Sequence, residues 1–466
     1  MLVAGTMIGS GIFIVSADIA RNLGSAGWVM MAWALAGIIT MAGALSYGEL
    51  SGMFPKAGGQ YVYLKEAYGP MLAFLYGWTL FLVIQTGTIA AVGVAFAKFS
   101  GVLWPQVGEN NILMETGSWK MTAAQLLAIG LTVLLTFINT KGVRNGKWIQ
   151  NVFGVTKIGA LFILIVAGLT IGFNPEIWNY NWSNAWNAKQ TTMNGEGVSA
   201  ISSVSGMALL FAVGVAMVGS LFSSDAWNNV TFAGAEVVNP QRTIGRALAI
   251  GTGLVTIIYL LVNVVYLAVL PLDGNPAATE YMQRGIAHAQ NDRVGFAAAQ
   301  AIGGGGLAIA VAVLIMISTF GCQNGCILSG ARVYYSMAND GLFFSPLKKL
   351  NKNAVPANAL WLQCIWACLL ILSGSYGNLL DYVMFAVIVF YLFTIAGIFV
   401  LRFKRPELPR PYKAFGYPIL PALYILLAGT FLFVLLVKKP EYTQPGLLLV
   451  ALGIPVYFLF KRFSKG

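Results

Sequence analysis

Gly5-Thr6-Met7-Ile8-Gly9-Ser10-Gly11-Ile12-Phe13 sets three glycines and a serine inside a run otherwise apolar enough for a bilayer. Glycine lowers helix propensity and lets backbone approach a bound group closely. In hydrocarbon, unwound backbone is tolerated only where protein or a polar cavity satisfies it. The stretch therefore has two readings. One is a helix interrupted so that bared N–H and C=O groups face a ligand. The other is a small-residue face packed on a neighbouring helix.

The surrounding composition places that stretch in a membrane. Of 466 residues, 58% are hydrophobic and 9% charged, and the mean hydropathy is +0.75. A soluble domain carries about 25% charge. The expected fold is an all-α polytopic membrane protein. The net charge of +12 is scattered between apolar spans, as in cytoplasmic loops beside anionic lipid, so the expected partner is the bilayer and not nucleic acid. The first segment lacks a basic n-region and a small-residue cleavage site, and no cleavable signal peptide is expected. Cys322, Cys326, Cys364 and Cys368 all fall in apolar spans as two i,i+4 pairs. They read as small buried hydrophobes and not as metal ligands. No cofactor or metal is expected.

Spans of about 20 apolar residues recur twelve times, near 2–20, 28–53, 71–100, 121–140, 147–172, 202–237, 244–270, 299–335, 357–375, 380–402, 418–437 and 443–461. Nineteen Lys and Arg fall on one side, among them Lys56, Lys65, Arg144, Lys147, Arg402, Arg405, Arg410 and Lys465. Seven fall on the other: Arg21, Lys120, Lys189, Arg284, Arg293, Lys438 and Lys439. That excess puts both termini in the cytoplasm. Lys56 to Gly69 predicts a short helix on the cytoplasmic surface. The outer loop 174–197 carries an Asn-Trp-Ser sequon at Asn181. The segment 271–295 reads as an outer lid with His288, the sole histidine, as a surface residue. The basic, proline-rich loop 402–418 reads as a topology signal in contact with lipid.

A weak internal symmetry is visible. The first span is interrupted at Gly9-Ser10-Gly11 and the sixth at Leu221-Phe222-Ser223-Ser224-Asp225-Ala226-Trp227-Asn228-Asn229. These open two five-span halves, and five being odd, the halves are inverted. Interruptions at matching positions of two halves point to a transporter binding site. The expected division is a first repeat over 1–172, an outer loop over 173–199, a second repeat over 200–402, and two last helices with their basic loop over 403–466.

At such a site, exposed N–H groups at Ser10, Gly11 and Ile12 favour a carboxylate. Free carbonyls near Met7, Ile8, Phe222 and Ser223 favour an ammonium. A zwitterionic α-amino acid presents both. Asp225 reads as a cap on a half-helix starting near Trp227, with a proton site or an ammonium contact as the sharper alternative. Lys157, deep in the fifth span, must face protein. It reads as a fixed charge doing the work of a sodium ion, as a proton carrier, or as an ion pair pinning two helices. Phe222 is core filler or a lid over the substrate. Tyr259 offers a hydroxyl to the same cavity. A single histidine leaves no plausible Ser-His-Asp set, and no phosphate-binding Walker sequence is present, so the chain is not read as an enzyme.

The segments GTMIGSGIF (5–13), SYGELSGMFPKAGGQYVYLKEAYGP (46–70), GVTKIGAL (154–161), LFSSDAWNNVTFAGAEVVNPQRTIGRAL (221–248) and GARVYYSMANDGLF (330–343) carry a resemblance. The chain resembles the L-amino acid transporter family of light-chain-like exchangers, within the amino acid–polyamine–organocation superfamily. The resemblance implies a LeuT-like fold of two inverted five-helix repeats plus two helices, with helices 1 and 6 broken. It implies sodium-independent exchange of amino acids by alternating access, and the expected function is exchange of neutral L-amino acids across the plasma (inner) membrane. It carries carboxylate binding to Gly9, Ser10 and Gly11; Ile8 and Ile12, beside them in the break, are expected from the residues to join the site. It carries outer gating to Phe222, a place near the substrate to Asn228, and a sodium-site-related charge to Lys157; beside these, Ser223, Ser224 and Asp225 at the second break are expected to contact substrate. Eukaryotic light chains join a glycoprotein through a cysteine between spans three and four. Residues 101–120 contain none, so no disulfide-linked heavy chain is expected and a prokaryotic carrier is. Asp225 stands where such light chains usually have glycine. The short lead into the first break matches a chain truncated at its start. Proton-coupled symport and a non-transporting amino acid sensor are the alternatives.

Overall fold

The structure is a computed structural model. It describes residues 2–55, 58–117, 119–194, 197–232, 234, 237–373 and 376–463, with backbone alone for 2, 119, 143–152, 194, 197, 199, 376 and 463. Lys56 and Lys465 and the side chains of Arg144 and Lys147 lie outside what is described.

The chain opens with three short helices, α1 (Leu2–Met7), α2 (Gly11–Ile14) and α3 (Ser16–Leu23), followed by α4 (Ala26–Met53) and a nine-residue α5 (Gln60–Tyr68). Helices α6 (Pro70–Thr79) and α7 (Gln85–Leu103) run on through a π-helical turn at Leu80–Ile84. There the Thr86 hydroxyl donates to the Phe81 carbonyl at 2.6 Å, five residues back, which supports the wider turn. A hairpin of β1 (Ile112–Thr116) and β2 (Trp119–Thr122) leads into α8 (Ala123–Thr140), whose start is held by a Thr122–Gln125 capping box. Then come α9 (Val143–Thr170), α10 (Pro175–Ser183) and a second hairpin, β3 (Lys189–Asn194) with β4 (Gly197–Ser203). Next are α11 (Gly206–Ser223), α12 (Asn229–Phe232), α13 (Pro240–Val269) and α14 (Tyr281–Arg284). Helix α15 (Val294–Asn339) bends at Gly303 and Gly304, inside a run of four glycines. The chain ends with α16 (Ala357–Ser373), α17 (Tyr376–Lys404), α18 (Ile419–Lys438) and α19 (Pro440–Phe463).

Among the described residues, ten helices are long and apolar enough to cross a membrane. Two of the twelve expected spans take another form. The first is divided among α1, α2 and α3, and the ninth is the 17-residue α16. The all-α expectation needs a small amendment, because two hairpins fold from loop segments whose backbone groups pair locally instead of remaining open.

Apolar residues face outward, with Phe162, Ile250 and Leu426 each at least 66% exposed, while amides, hydroxyls and charges turn inward. Asn139 donates to Asn324 at 2.8 Å and Gln323 to Thr132 at 2.8 Å, both fully buried. That inversion is what a chain surrounded by lipid requires, since a polar group facing hydrocarbon has no partner. The stretch Pro70–Leu103 forms the interior post, with 89% of its 18-residue apolar window buried, whereas Pro440–Arg462 is peripheral, with 22% of its window buried. Helix α1 is enclosed by α9, α13 and α15, and α12 lies on α15, so both interruptions reach the centre.

Three loop expectations are corrected. The short helix after residue 56 is not on the surface: Gln60, Tyr61, Val62, Tyr63, Leu64 and Ala67 of α5 are buried. His288 is also buried, at 6% exposure, and its carbonyl accepts from Arg284 Nε at 2.8 Å. Burial, with Arg21 and Arg284 nearby, lowers its pKa. Two arginines of loop 402–418, Arg402 and Arg410, are drawn inward. Arg402 grips the fully buried Glu49 with both branches (2.9 and 2.6 Å), Arg410 approaches it at 3.5 Å, and the Ala414 amide donates to it at 2.7 Å. At the sequon, Asn181 is buried and its amide donates to the Leu267 and Leu270 carbonyls (2.8 and 2.9 Å), which closes it to modification.

Candidate functional site

Helix α1 ends where Gly9-Ser10-Gly11 begins. Ile8 N still donates to Ala4 O at 3.0 Å; Phe13 N then donates to Ser10 O at 3.0 Å and Val15 N to Gly11 O at 2.9 Å. Among the described residues, the amides of Gly9, Gly11 and Ile12 donate to no acceptor. Helix α11 ends at Ser223. The chain turns through Ser224–Asn228, with Ala226 at φ 62°, before α12 starts at Asn229. The two interruptions cross closely: a Cβ at Gly11 would overlap the Ser223 side chain, and Thr6 Oγ1 donates to Ala226 O at 3.0 Å. Any larger residue at position 11 would force the crossing apart.

The carbonyls expected to stand free for an ammonium are already engaged. Met7 O and Ser223 O both accept from Tyr259 Oη, at 3.1 and 3.0 Å. Phe222 O accepts from the Asp225 amide at 3.1 Å. Ile8 O accepts from Lys157 Nζ at 2.7 Å and Ser318 Oγ at 3.1 Å, and Ile12 O from Tyr266 Oη at 3.2 Å. The reason is general: a buried carbonyl without a donor is costly, so neighbouring helices supply one.

Lys157 is 1% exposed and donates to Gly5 O (2.5 Å), Ile8 O (2.7 Å) and, more weakly, Ser318 O (3.4 Å). A single ammonium is thus surrounded by main-chain oxygens of α1 and α15, as a bound cation would be. Asp225 does not await a helix start as expected. Its carboxylate accepts from Tyr391 Oη of α17 at 2.6 Å, and the half-helix begins four residues later at Asn229.

Two small cavities flank the crossing, each about 20 Å³, room for about one water. Gly9, Ser10, Gly11, Phe222, Ser223 and Asp225 line the first. Asp225, Asn228, Gln60, Tyr391 and Cys326 line the second. Ser224 is buried beside Trp227 in an adjoining crevice, and Tyr259 joins the breaks from behind. A wider cavity of about 450 Å³ lies above the first break, where Arg21 pairs with Asp292 (2.7 Å) and Lys439 with Asp381 (2.9 Å).

Sequence reading missed five contributors. Tyr391 and Thr394 sit in an apolar stretch of α17 with nothing local to mark them. Ser318 and Gln60 are ordinary polar residues whose importance depends on what folds against them. Cys322 also sits at the break, its thiol donating to Thr6 O at 3.2 Å. Among the described residues, no group of three His, Cys, Asp or Glu side chains could hold a metal ion.

The arrangement of bare amides and a buried carboxylate, with no nucleophile–base pair among the described residues around them, suits binding and release, not bond making. An amino acid permease family model matches residues 1–460. The chain belongs to the amino acid permease family. The permease is 30% identical over 476 residues to the mouse (Mus musculus) b(0,+)-type amino acid transporter 1, across 100% of this chain and 87% of that protein. It is 29% identical over 463 residues to the human (Homo sapiens) large neutral amino acids transporter small subunit 2, across 98% of this chain and 78% of that one. Its relatives are amino acid transporters, and the permease is accordingly a multi-pass membrane transporter and not an enzyme.

Proposed function

We propose that the permease exchanges neutral L-amino acids across the plasma membrane by alternating access, without sodium. The reading takes the chain as twelve spans: two inverted repeats of five over 1–172 and 200–402, in a LeuT-like arrangement, and two further helices. Both termini lie in the cytoplasm of a prokaryotic host. The observation that carries the reading is Lys157. Its ammonium occupies the ring of Gly5, Ile8 and Ser318 carbonyls, and a site already filled by a tethered cation has no need of a free one.

The substrate carboxylate meets the amides at Gly9, Ser10 and Gly11, with Ile8 and Ile12 shaping the walls. Phe222 closes over it from outside, while Ser223, Ser224, Asp225 and Asn228 face its ammonium and side chain. Tyr259 holds the two breaks together, so substrate enters only as they separate. The four cysteines lie in α15 and α16, away from the loop between α7 and α8, and the permease works without a disulfide-linked heavy chain.

Proteoliposomes loaded with unlabelled amino acid test this directly. Labelled uptake should require internal amino acid and be indifferent to sodium. Sodium-dependent uptake into empty liposomes overturns both points. The second reading, proton-coupled symport, is favoured by Asp225, a carboxylate that lines both cavities with the neutral Tyr391 hydroxyl bonded to it. Accumulation into empty liposomes under an imposed pH gradient distinguishes it.

A further inference from the structure

We propose that Gln60 is a gating residue of the permease, and that α5 is the plug that must withdraw before substrate leaves on the face carrying the basic loops. The inference rests on the transport reading above. It starts from an anomaly: a polar nine-residue helix, joined to a loop, has its first turn buried in the protein centre.

Gln60 is 1% exposed and lines the cavity that holds Asp225 and Asn228. Its Oε1 accepts from Asn228 Nδ2 at 3.1 Å, and its Nε2 donates to Thr394 Oγ1 at 3.0 Å. One carboxamide thus chains the sixth-span interruption to α17. The approach to Gln60 is made by two glycines with positive φ, Gly58 at 105° and Gly59 at 46°. Gly58 N donates to Phe232 O at 3.1 Å, and a Cβ at Gly59 would overlap Thr231. Helix α5 is therefore tucked directly under α12 and floors the cavity.

Its other end is held differently. Lys65 pairs with Asp340 at 2.7 Å and Tyr61 donates to the same carboxylate at 2.7 Å, while Glu66 pairs with Arg405 at 2.8 Å. These pairs are partly exposed, and water can replace such contacts at little cost. The Asn228–Gln60–Thr394 chain is buried, and breaking it leaves polar groups unpaired unless substrate or water takes their place. A plug with replaceable outer ties and an inner tie that substrate itself can substitute is built to open when the site is loaded.

Cys326 reports on this gate, since it lines the same cavity as Gln60. The test uses the full chain with Cys322, Cys364 and Cys368 changed to Ala, in sealed proteoliposomes. A membrane-impermeant methanethiosulfonate is added from one face or the other. Gln60→Ala should raise the labelling rate of Cys326 from the basic face about tenfold, the factor one buried hydrogen bond is worth. Labelling from the opposite face should not change, and KM for exchange should rise more on the basic face. If Gln60→Ala does not fold, Gln60→Asn, which shortens the arm by one methylene, and Thr394→Val, which removes the far acceptor, should show the same one-sided change. Unchanged basic-face labelling in the folded variants, or an equal rise from both faces, overturns the proposal. Labelling needs no transport, so a permease that fails to exchange amino acids would refute the parent reading and leave this measurement valid.

Discussion

Tyr259 Oη lies 3.1 Å from Met7 O and 3.0 Å from Ser223 O, so one hydroxyl from α13 ties the two interrupted helices together. Tyr259→Phe removes the proton and keeps the ring against Trp33. The loss of roughly 1–1.5 kcal/mol expected for such a bond should lower exchange about tenfold. Uptake kinetics check this, with the fall in turnover larger than the rise in KM.

Lys157→Ala should abolish exchange. Gly5 O loses its Lys157 donor, and Ile8 O keeps only Ser318. Each unsatisfied carbonyl costs roughly 1–3 kcal/mol, and the thermal midpoint in detergent should fall as well. Exchange at the unmodified rate would remove Lys157 from the mechanism.

At the crossing, Gly11→Ala should reduce uptake by about tenfold or more, because the new methyl meets Ser223 and overpacking costs roughly 1–3 kcal/mol. Adding Ser223→Gly should restore part of the loss by removing the atoms it strikes. Radiolabelled exchange in the single and double variants measures the coupling.

Asp225→Asn keeps an acceptor for Tyr391 while removing the charge. Turnover of bound neutral amino acids should survive, and their affinity should weaken by about tenfold, the scale of the one charge-assisted bond that Asp225 offers the substrate ammonium. A competition panel of twenty amino acids against one labelled substrate reads both effects. Loss of pH-gradient-driven uptake in this variant would favour proton coupling.

Glu49 is the stability test. It is fully buried and held by Arg402, Arg410 and the Ala414 amide, with Arg402 stacked 3.5 Å from the Tyr417 ring centre. Arg402→Met leaves that carboxylate short of its main partner, a change worth roughly 3–5 kcal/mol. The unfolding midpoint should fall clearly. Arg402→Lys should recover only part, since an ammonium cannot make the two-branched contact.

These residues divide by how visible they were beforehand. Lys157 and Asp225 are charges in apolar spans, and the Gly9–Gly11 and Ser223–Asn228 stretches break otherwise helical runs. Each is a local anomaly that hydrocarbon makes expensive, so each can be read from the chain alone. Tyr391, Thr394, Ser318 and Gln60 carry no such mark, because a polar residue in a helix acquires its role from the residue opposite. The same limit explains the carbonyls taken to be free. An unwound segment shows that donors are needed without showing that Tyr259 and Lys157 provide them.

By itself, then, the sequence determined a polytopic helical membrane protein, two interruptions and an interior lysine, because these follow from the cost of placing charge and open backbone in lipid. Only the tertiary structure decided how the interruption at Gly5–Phe13 is held. Its carbonyls are closed off by α9, α13 and α15, its glycines press on Ser223, and the opposite break rests on a helix that sequence assigned to the surface. Those contacts join residues more than 100 positions apart, and only packing brings them within hydrogen-bond range.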